Sequence, residues 1–162
     1  MPSVVVPLSV RDLLIADLPD CGWAGSDIHL RDVARQLRRA RTGEVDYLAA
    51  CPPSGVPVAV GGVDYTKAPG AGTLWQLSVH PALQSCGIGT VLIQAAEQRI
   101  VARGLHLAEL SVEDDNTRAR LLYERLGYAA VGAARETWVE ERADGTIAVH
   151  EADCTVMRKE LP

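Results

Sequence analysis

Leu74-Trp75-Gln76-Leu77-Ser78-Val79-His80-Pro81-Ala82-Leu83-Gln84-Ser85-Cys86-Gly87-Ile88-Gly89-Thr90 is the stretch that decides how this chain folds. It begins as a strand-like run, breaks at Pro81 and restarts as a helix near Gly87. Amide N–H groups at such a helix start lack intrahelical acceptors and point outward, which makes a ready anion site. Gly87 and Gly89 let the backbone approach a phosphate without an intervening Cβ, and Thr90 can add a hydroxyl. The helix-end charge effect alone is only about 0.3–1 kcal/mol, so affinity must come from several N–H bonds together. Taken alone, two glycines two residues apart merely start a helix. A dinucleotide fingerprint would need a third glycine where Leu92 stands, and no Gly-Lys-Ser/Thr run supplies a phosphate loop.

Outward from this stretch, the pattern predicts a first strand within Val4–Ile15 and a helix capped by Asp27 that runs to about Arg41. Leu30, Val33, Ala34 and Leu37 fall at helical spacing on it, and Gly43 stops it. Strands are expected at Tyr47–Ala50, Val58–Tyr65 and Thr73–Val79, then a helix from Gly87 to Arg103 with Gly104 as its C′ residue. A strand at Leu107–Val112, a helix from Asn116 to Gly127, and strands at Tyr128–Glu140 and Cys154–Lys159 complete the chain. Asp144-Gly145 suits a tight turn between the last two, with an irregular return path. Three consecutive strands suggest an antiparallel meander, and the later strand–helix–strand units suggest parallel pairing. The order implies an α/β fold, a mixed sheet between helices on both faces in three layers, α/β/α.

Composition is consistent with this. The 162 residues suit one domain over 1–162, and 48% apolar with 23% charged residues argue against wholesale disorder. Phe is absent and aromatics are only 4%, so the core must be aliphatic. A net charge of −5 argues against nucleic acid as the main partner. No apolar run reaches the ~20 residues of a membrane span. Met1-Pro2-Ser3-Val4 lacks a charged n-region and a cleavage site, so the expectation is a cytoplasmic protein with no membrane association. Cys21, Cys51, Cys86 and Cys154 form no C-x-x-C pair, and His29, His80, His106 and His150 form no ligand set, so no metal is expected.

A second block adds chemistry. In Leu110-Ser111-Val112-Glu113-Asp114-Asp115-Asn116-Thr117-Arg118-Ala119-Arg120-Leu121-Leu122-Tyr123-Glu124-Arg125-Leu126-Gly127-Tyr128, a strand leads into a helix with Asn116 at its cap. Asn116 and Tyr123 lie seven apart, on one helix face two turns from each other. On spacing alone, Tyr123 between Ala119 and Leu126 reads as a core tyrosine, or as one whose ring is buried while its hydroxyl reaches a cleft.

Together the two blocks resemble the GNAT superfamily of N-acetyltransferases. Its Gln/Arg-x-x-Gly-x-Gly/Ala loop is met by Gln84-Ser85-Cys86-Gly87-Ile88-Gly89. Its Asn-x-x-Ala-x-x-Leu-Tyr-x-x-x-Gly-Phe/Tyr signature is met by Asn116, Ala119, Leu122, Tyr123, Gly127 and Tyr128. The resemblance implies a centrally splayed sheet and acetyl-CoA as cosubstrate, without metal. It places the diphosphate on the amides of Gln84, Ser85, Cys86, Gly87, Ile88, Gly89 and Thr90. The pantetheine arm would lie along Leu77, Ser78 and Val79 and reach Asn116. Tyr123 would stand near the thioester sulfur as general acid in direct transfer to a primary amine of a small molecule or peptide.

One position departs from the family pattern. Trp75, with Gln76 beside it, stands where many members carry a Glu or His base on the strand, and neither takes a proton at neutral pH. A water, Glu113, or no base at all remain open, and Glu113 in its acidic run also reads as a solvated carboxylate. The same departure keeps a non-catalytic acyl-CoA-binding module as the alternative. Arg31, Arg35, Arg38 and Arg39 read as a solvated stripe on the first helix. His80 reads as a turn residue, Trp75 equally as pocket or core, and Cys86 as an exposed thiol offering mainly its N–H. Free sheet edges leave a homodimer open, and the acceptor is not legible.

Overall fold

In the computed structural model, which describes residues 1–162, the chain forms one mixed sheet of seven strands with helices on both faces. The elements are β1 (Ser9–Asp12), α1 (Asp27–Arg41), β2 (Val45–Cys51), β3 (Ala59–Asp64), β4 (Gly72–Val79) and α2 (Ile88–Ala102). They continue with β5 (Leu107–Glu113), α3 (Thr117–Arg125), β6 (Ala129–Glu141) and β7 (Ile147–Glu160). The strand order is β1-β2-β3-β4-β5-β7-β6, and β4 with β5 is the one parallel pair.

Alternation along the strands feeds two cores. Leu48, Ala50, Val63, Leu74, Leu110 and Met157 face α2, whose Leu92, Ile93, Ala96 and Ile100 are buried against them. Ala119, Leu122 and Leu126 of α3 pack on the same side. Tyr47, Ala49, Cys51 and Val60 point the other way, onto Val33 and Leu37 of α1. Successive strand side chains point to opposite faces, which lets one sheet serve a helix layer on each side. The buried charge Glu97 on α2 is neutralised from β7. Lys159 Nζ sits 2.9 Å from both of its oxygens, and the Tyr128 hydroxyl donates to it at 3.2 Å.

Three expectations change. Ser26, not Asp27, caps α1, its hydroxyl accepting from the His29 N–H at 3.3 Å; Asp27 is the first helical residue, where its charge favours the helix dipole. The return after Asp144-Gly145 is regular. β7 starts at Ile147 and pairs with β6 from Glu141↔Ile147 to Ala129↔Arg158, interrupted by one bulge near Val131. Only the β4–α2–β5 unit gives a parallel pair; after α3 the chain skips a place, and β7 inserts between β5 and β6, antiparallel to both.

Candidate active site

β4 and β5 are joined only at Gly72↔Ala108 and Thr73↔Glu109. Beyond that, β4 stays on β3 as far as Val79↔Ala59, and β5 stays on β7 as far as Glu113↔Cys154. The two inner edges therefore diverge and present unpaired backbone groups to the gap. A bulge on β4 sharpens the divergence. Its register on β3 jumps from Trp75↔Gly62 to Ser78↔Val60, so Gln76 and Leu77 share one opposite residue. Gln76 takes φ +55° there, a left-handed geometry that costs a side-chain-bearing residue about 1–2 kcal/mol. Two side-chain bonds hold it. The Tyr47 hydroxyl donates to Gln76 Oε1 at 3.0 Å, and Gln76 Nε2 donates to Asp32 Oδ2 at 2.8 Å. Trp75 packs its ring against Gly62, where no Cβ would fit, and meets the Tyr47 ring edge-on at 5.7 Å.

At the far end of β4 the loop to α2 leaves its amides free. From Gln84 to Thr90, seven consecutive N–H groups donate to no group of the protein, and the helical ladder starts with Val91 N–H on the Gly87 carbonyl. Ser85 at φ +62° and Gly87 at φ +83° turn the backbone left-handed just ahead of the helix, a geometry that suits anion-binding concavities. A Cβ at Gly87 would meet no protein atom within 4 Å, so the space over this turn is open. Gln84 Nε2 reaches back to the Val79 carbonyl at 3.5 Å.

α3 closes the third side. Gly89 lies 3.8 Å, from its Cβ direction, from both Leu122 of α3 and Val79 of β4, and Arg118 contacts the Ser85 hydroxyl. Asn116 Oδ1 accepts from the Ala119 N–H at 3.1 Å, capping α3, and its amide NH2 donates to no group of the protein. Tyr123 is mostly buried beside the Tyr128 ring, 6.2 Å away, and burial alone raises its pKa above the ordinary phenol value. Its hydroxyl makes no hydrogen bond to the protein and is not sealed from solvent.

On the α1 side of the sheet lies a cavity of about 960 Å³, reached by Trp75, Gln76, Glu109, Ser111 and Glu113 from the strands and by Asp32 from the helix. Burial pushes the Asp32 carboxyl up, but hydrogen bonds from Gln76, Arg35 and Gln36 outweigh it and hold the group below the usual range. Burial lowers His29, against a smaller opposing pull from Asp32, so its imidazole is neutral at pH 7. Trp75 thus resolves as both core and cavity wall.

A family model described as the acetyltransferase (GNAT) family matches residues 10–128. The chain belongs to the GNAT acetyltransferase family. Solved structures with the same fold include the ribosomal-protein-S18-alanine N-acetyltransferase of Escherichia coli, 19% identical with a TM-score of 0.69 over 96% of this chain and 94% of that one. The IAA acetyltransferase of Bacillus cereus is 17% identical with a TM-score of 0.70, over 96% and 100%. The PaiA N-acetyltransferase of Thermoplasma acidophilum, solved in complex with coenzyme A, is 16% identical with a TM-score of 0.67, over 95% and 99%. At these identities the likeness is one of fold.

Within this GNAT fold the expected residues gather as two groups. Val79, the Gln84–Thr90 loop and the face of α3 carrying Leu122 converge, while Glu113 lies across the sheet on the cavity side. His80 is a turn residue, its Nδ1 accepting from the Ala82 N–H at 3.1 Å. Cys86 is exposed, and its thiol points to the Gln84 carbonyl at 3.6 Å. The arginine stripe is not merely solvated. Arg39 binds the buried Asp64 at 2.9 Å, and Arg31 and Arg35 line the cavity. The Asp32–Gln76–Tyr47 chain and the Arg118–Ser85 contact carry no local signal in the sequence. No helix is long and apolar enough to cross a membrane.

Proposed function

We propose that the chain is an acetyl-CoA-dependent N-acetyltransferase that transfers acetyl directly to a primary amine, the whole of residues 1–162 acting as one domain in the cytoplasm. The observation that carries this is the run of seven unpaired amides from Gln84 to Thr90, set at the open end of the β4–β5 gap. A diphosphate satisfies several such donors at once, with the helix end adding favourable potential. The edge of β4 at Leu77, Ser78 and Val79 offers backbone groups to an extended amide-bearing arm, and Asn116 offers its side-chain NH2.

The residues then divide the work. A backbone N–H near Leu77–Val79 stabilises the negative charge that develops on the carbonyl oxygen. Tyr123, kept protonated by burial, gives its proton to the departing sulfur. Holding amine and thioester together supplies much of the remaining rate without a covalent enzyme intermediate. The amine's proton leaves to water or to Glu113, which lines the acceptor side.

Trp75 and Gln76 accept no proton, and this favours a second reading, an acyl-CoA-binding module without turnover. Calorimetric titration with acetyl-CoA, run beside a free-thiol assay over a panel of amines, separates the two. Binding with amine-dependent thiol release supports the enzyme. Binding with no release from any amine supports the module, and no binding removes both.

A further inference from the structure

The cavity on the α1 side carries free charge of opposite sign on opposite walls. Asp32 and Glu109 line it but are neutralised, by Arg35 at 2.5 Å and by Arg158 at 2.7 Å. Glu113, at the end of β5, and Glu136, on β6, line it with no cationic partner. Both act on Cys154, the buried thiol that pairs with Glu113 across the strands, so the two carboxylates share one corner. Across from them, Arg31 on α1 makes no ion pair, and Lys67 has no carboxylate, its ammonium standing 5.8 Å from the centre of the Trp75 ring. Single exposed charges are ordinary. Their sorting by sign around one cavity is not.

A further polar group looks for a partner inside. Thr73 is only 8% exposed, its hydroxyl is buried without a hydrogen-bond partner, and it lines the same cavity where β4 and β5 part. The volume of about 960 Å³ suits a whole small molecule.

We propose that the acceptor is a small zwitterionic amine of the amino-acid class, its amino group turned to Glu113 and Glu136 and its carboxylate to Arg31 and Lys67. The proposal rests on the acetyltransferase reading above and specifies its acceptor. A polyamine would set a second ammonium against Arg31 and Lys67. A polyanion would face Glu113 and Glu136. A zwitterion meets both walls with opposite charge, and Glu113 lies at the β5 end nearest the gap, so the amine leads towards the thioester. In transfer the ammonium loses one proton to solvent and its nitrogen bonds to the acetyl carbon as the C–S bond breaks. The nitrogen's second proton is released and the sulfur gains one, leaving an N-acetyl amino acid, free coenzyme A thiol and one net proton.

Alanine, leucine and phenylalanine, each with its amide and its decarboxylated amine, keep the amine and the side chain within a set while the carboxylate is neutralised or removed. Calorimetry on coenzyme A-loaded protein and thiol release from acetyl-CoA should both favour an acid over its amide by about tenfold or more. In the Arg31→Gln/Lys67→Gln protein that preference should fall to about twofold, with the melting temperature showing that the variant is folded. No acid outbinding its amide, or a preference that survives the double substitution, overturns the proposal. Thiol release equal across all three sets overturns it while leaving the acetyltransferase standing. An acid preference in binding without thiol release supports the acceptor site and removes the transferase.

Discussion

Thr73 of β4 lies opposite Glu109 of β5, and no later residue joins the two strands. From Thr73 to Val79 the β4 edge runs for six more residues, about 20 Å at strand rise. The gap is held open from both sides, since each strand remains bonded to its outer neighbour, β3 or β7. Opening the sheet here therefore removes one ladder's hydrogen bonds and no other, and a ligand with peptide-like groups can replace them.

Tyr123→Phe should lower kcat by about 10²–10³-fold with little change in acetyl-CoA affinity. Because the hydroxyl bonds to nothing in the protein, the melting temperature should not move. Thiol-release kinetics decide it, and a near-normal rate excludes Tyr123 as the acid.

Gly87 and Gly104 bracket α2 with nearly the same backbone, φ +83° and +79°, and neither would crowd a Cβ. Alanine at either should cost about 1 kcal/mol of stability, or about 2–4 °C in Tm. Only Gly87→Ala should also weaken acetyl-CoA binding, because only its Cβ enters the amide loop. Equal affinities for the two variants in calorimetry would mean that no ligand approaches Gly87.

Gln76 permits a test of stored strain. Gln76→Ala and Gln76→Gly both lose the bonds to Tyr47 and Asp32, but only glycine relieves φ +55°. The glycine variant should be more stable than the alanine variant by about 1 kcal/mol in urea unfolding. The reverse order would show that the bulge relaxes.

Asp64 is 2% exposed; burial pushes its carboxyl up, but hydrogen bonds from Arg39 and Thr66 outweigh this and hold it below the usual range. A lowered folded value stabilises the protein above the unfolded pKa of about 3.9, and the contribution fades as pH falls through the folded value. Asp64→Asn should cost about 1–3 kcal/mol at pH 7, because it weakens the charge-assisted hydrogen bonds from Arg39 and Thr66 while Glu44 still pairs with Arg39 at 2.8 Å. The gap between wild type and variant should narrow as the pH falls below the unfolded value of about 3.9. A gap independent of pH would mean the loss is one of packing.

The sequence made local devices legible. Pro81, Gly87 and Gly104 mark turns by backbone preference, and Asn116 marks a cap by its side chain, so the loop and α3 were placed closely. What stayed hidden depends on distant partners. Asp32, Tyr47 and Gln76 are 29 and 44 residues apart along the chain, and Arg39 reaches 25 residues to Asp64. The length of β7 escaped because much of the β6–β7 ribbon is exposed on both faces and so has no apolar alternation to read. Glu113 was ambiguous for a related reason. An acidic run at a strand end looks the same whether it faces water or a cavity.

The clasp of Lys159 by both oxygens of Glu97 bears on how such a catalyst lives beside its own reagent. The chain has two lysines, and its other fourteen basic side chains are arginines, whose delocalised guanidinium is a poor nucleophile. With one ammonium locked under α2, Lys67 is the single side-chain amine left in the open. The molecule thus exposes little of its own nitrogen to stray acylation.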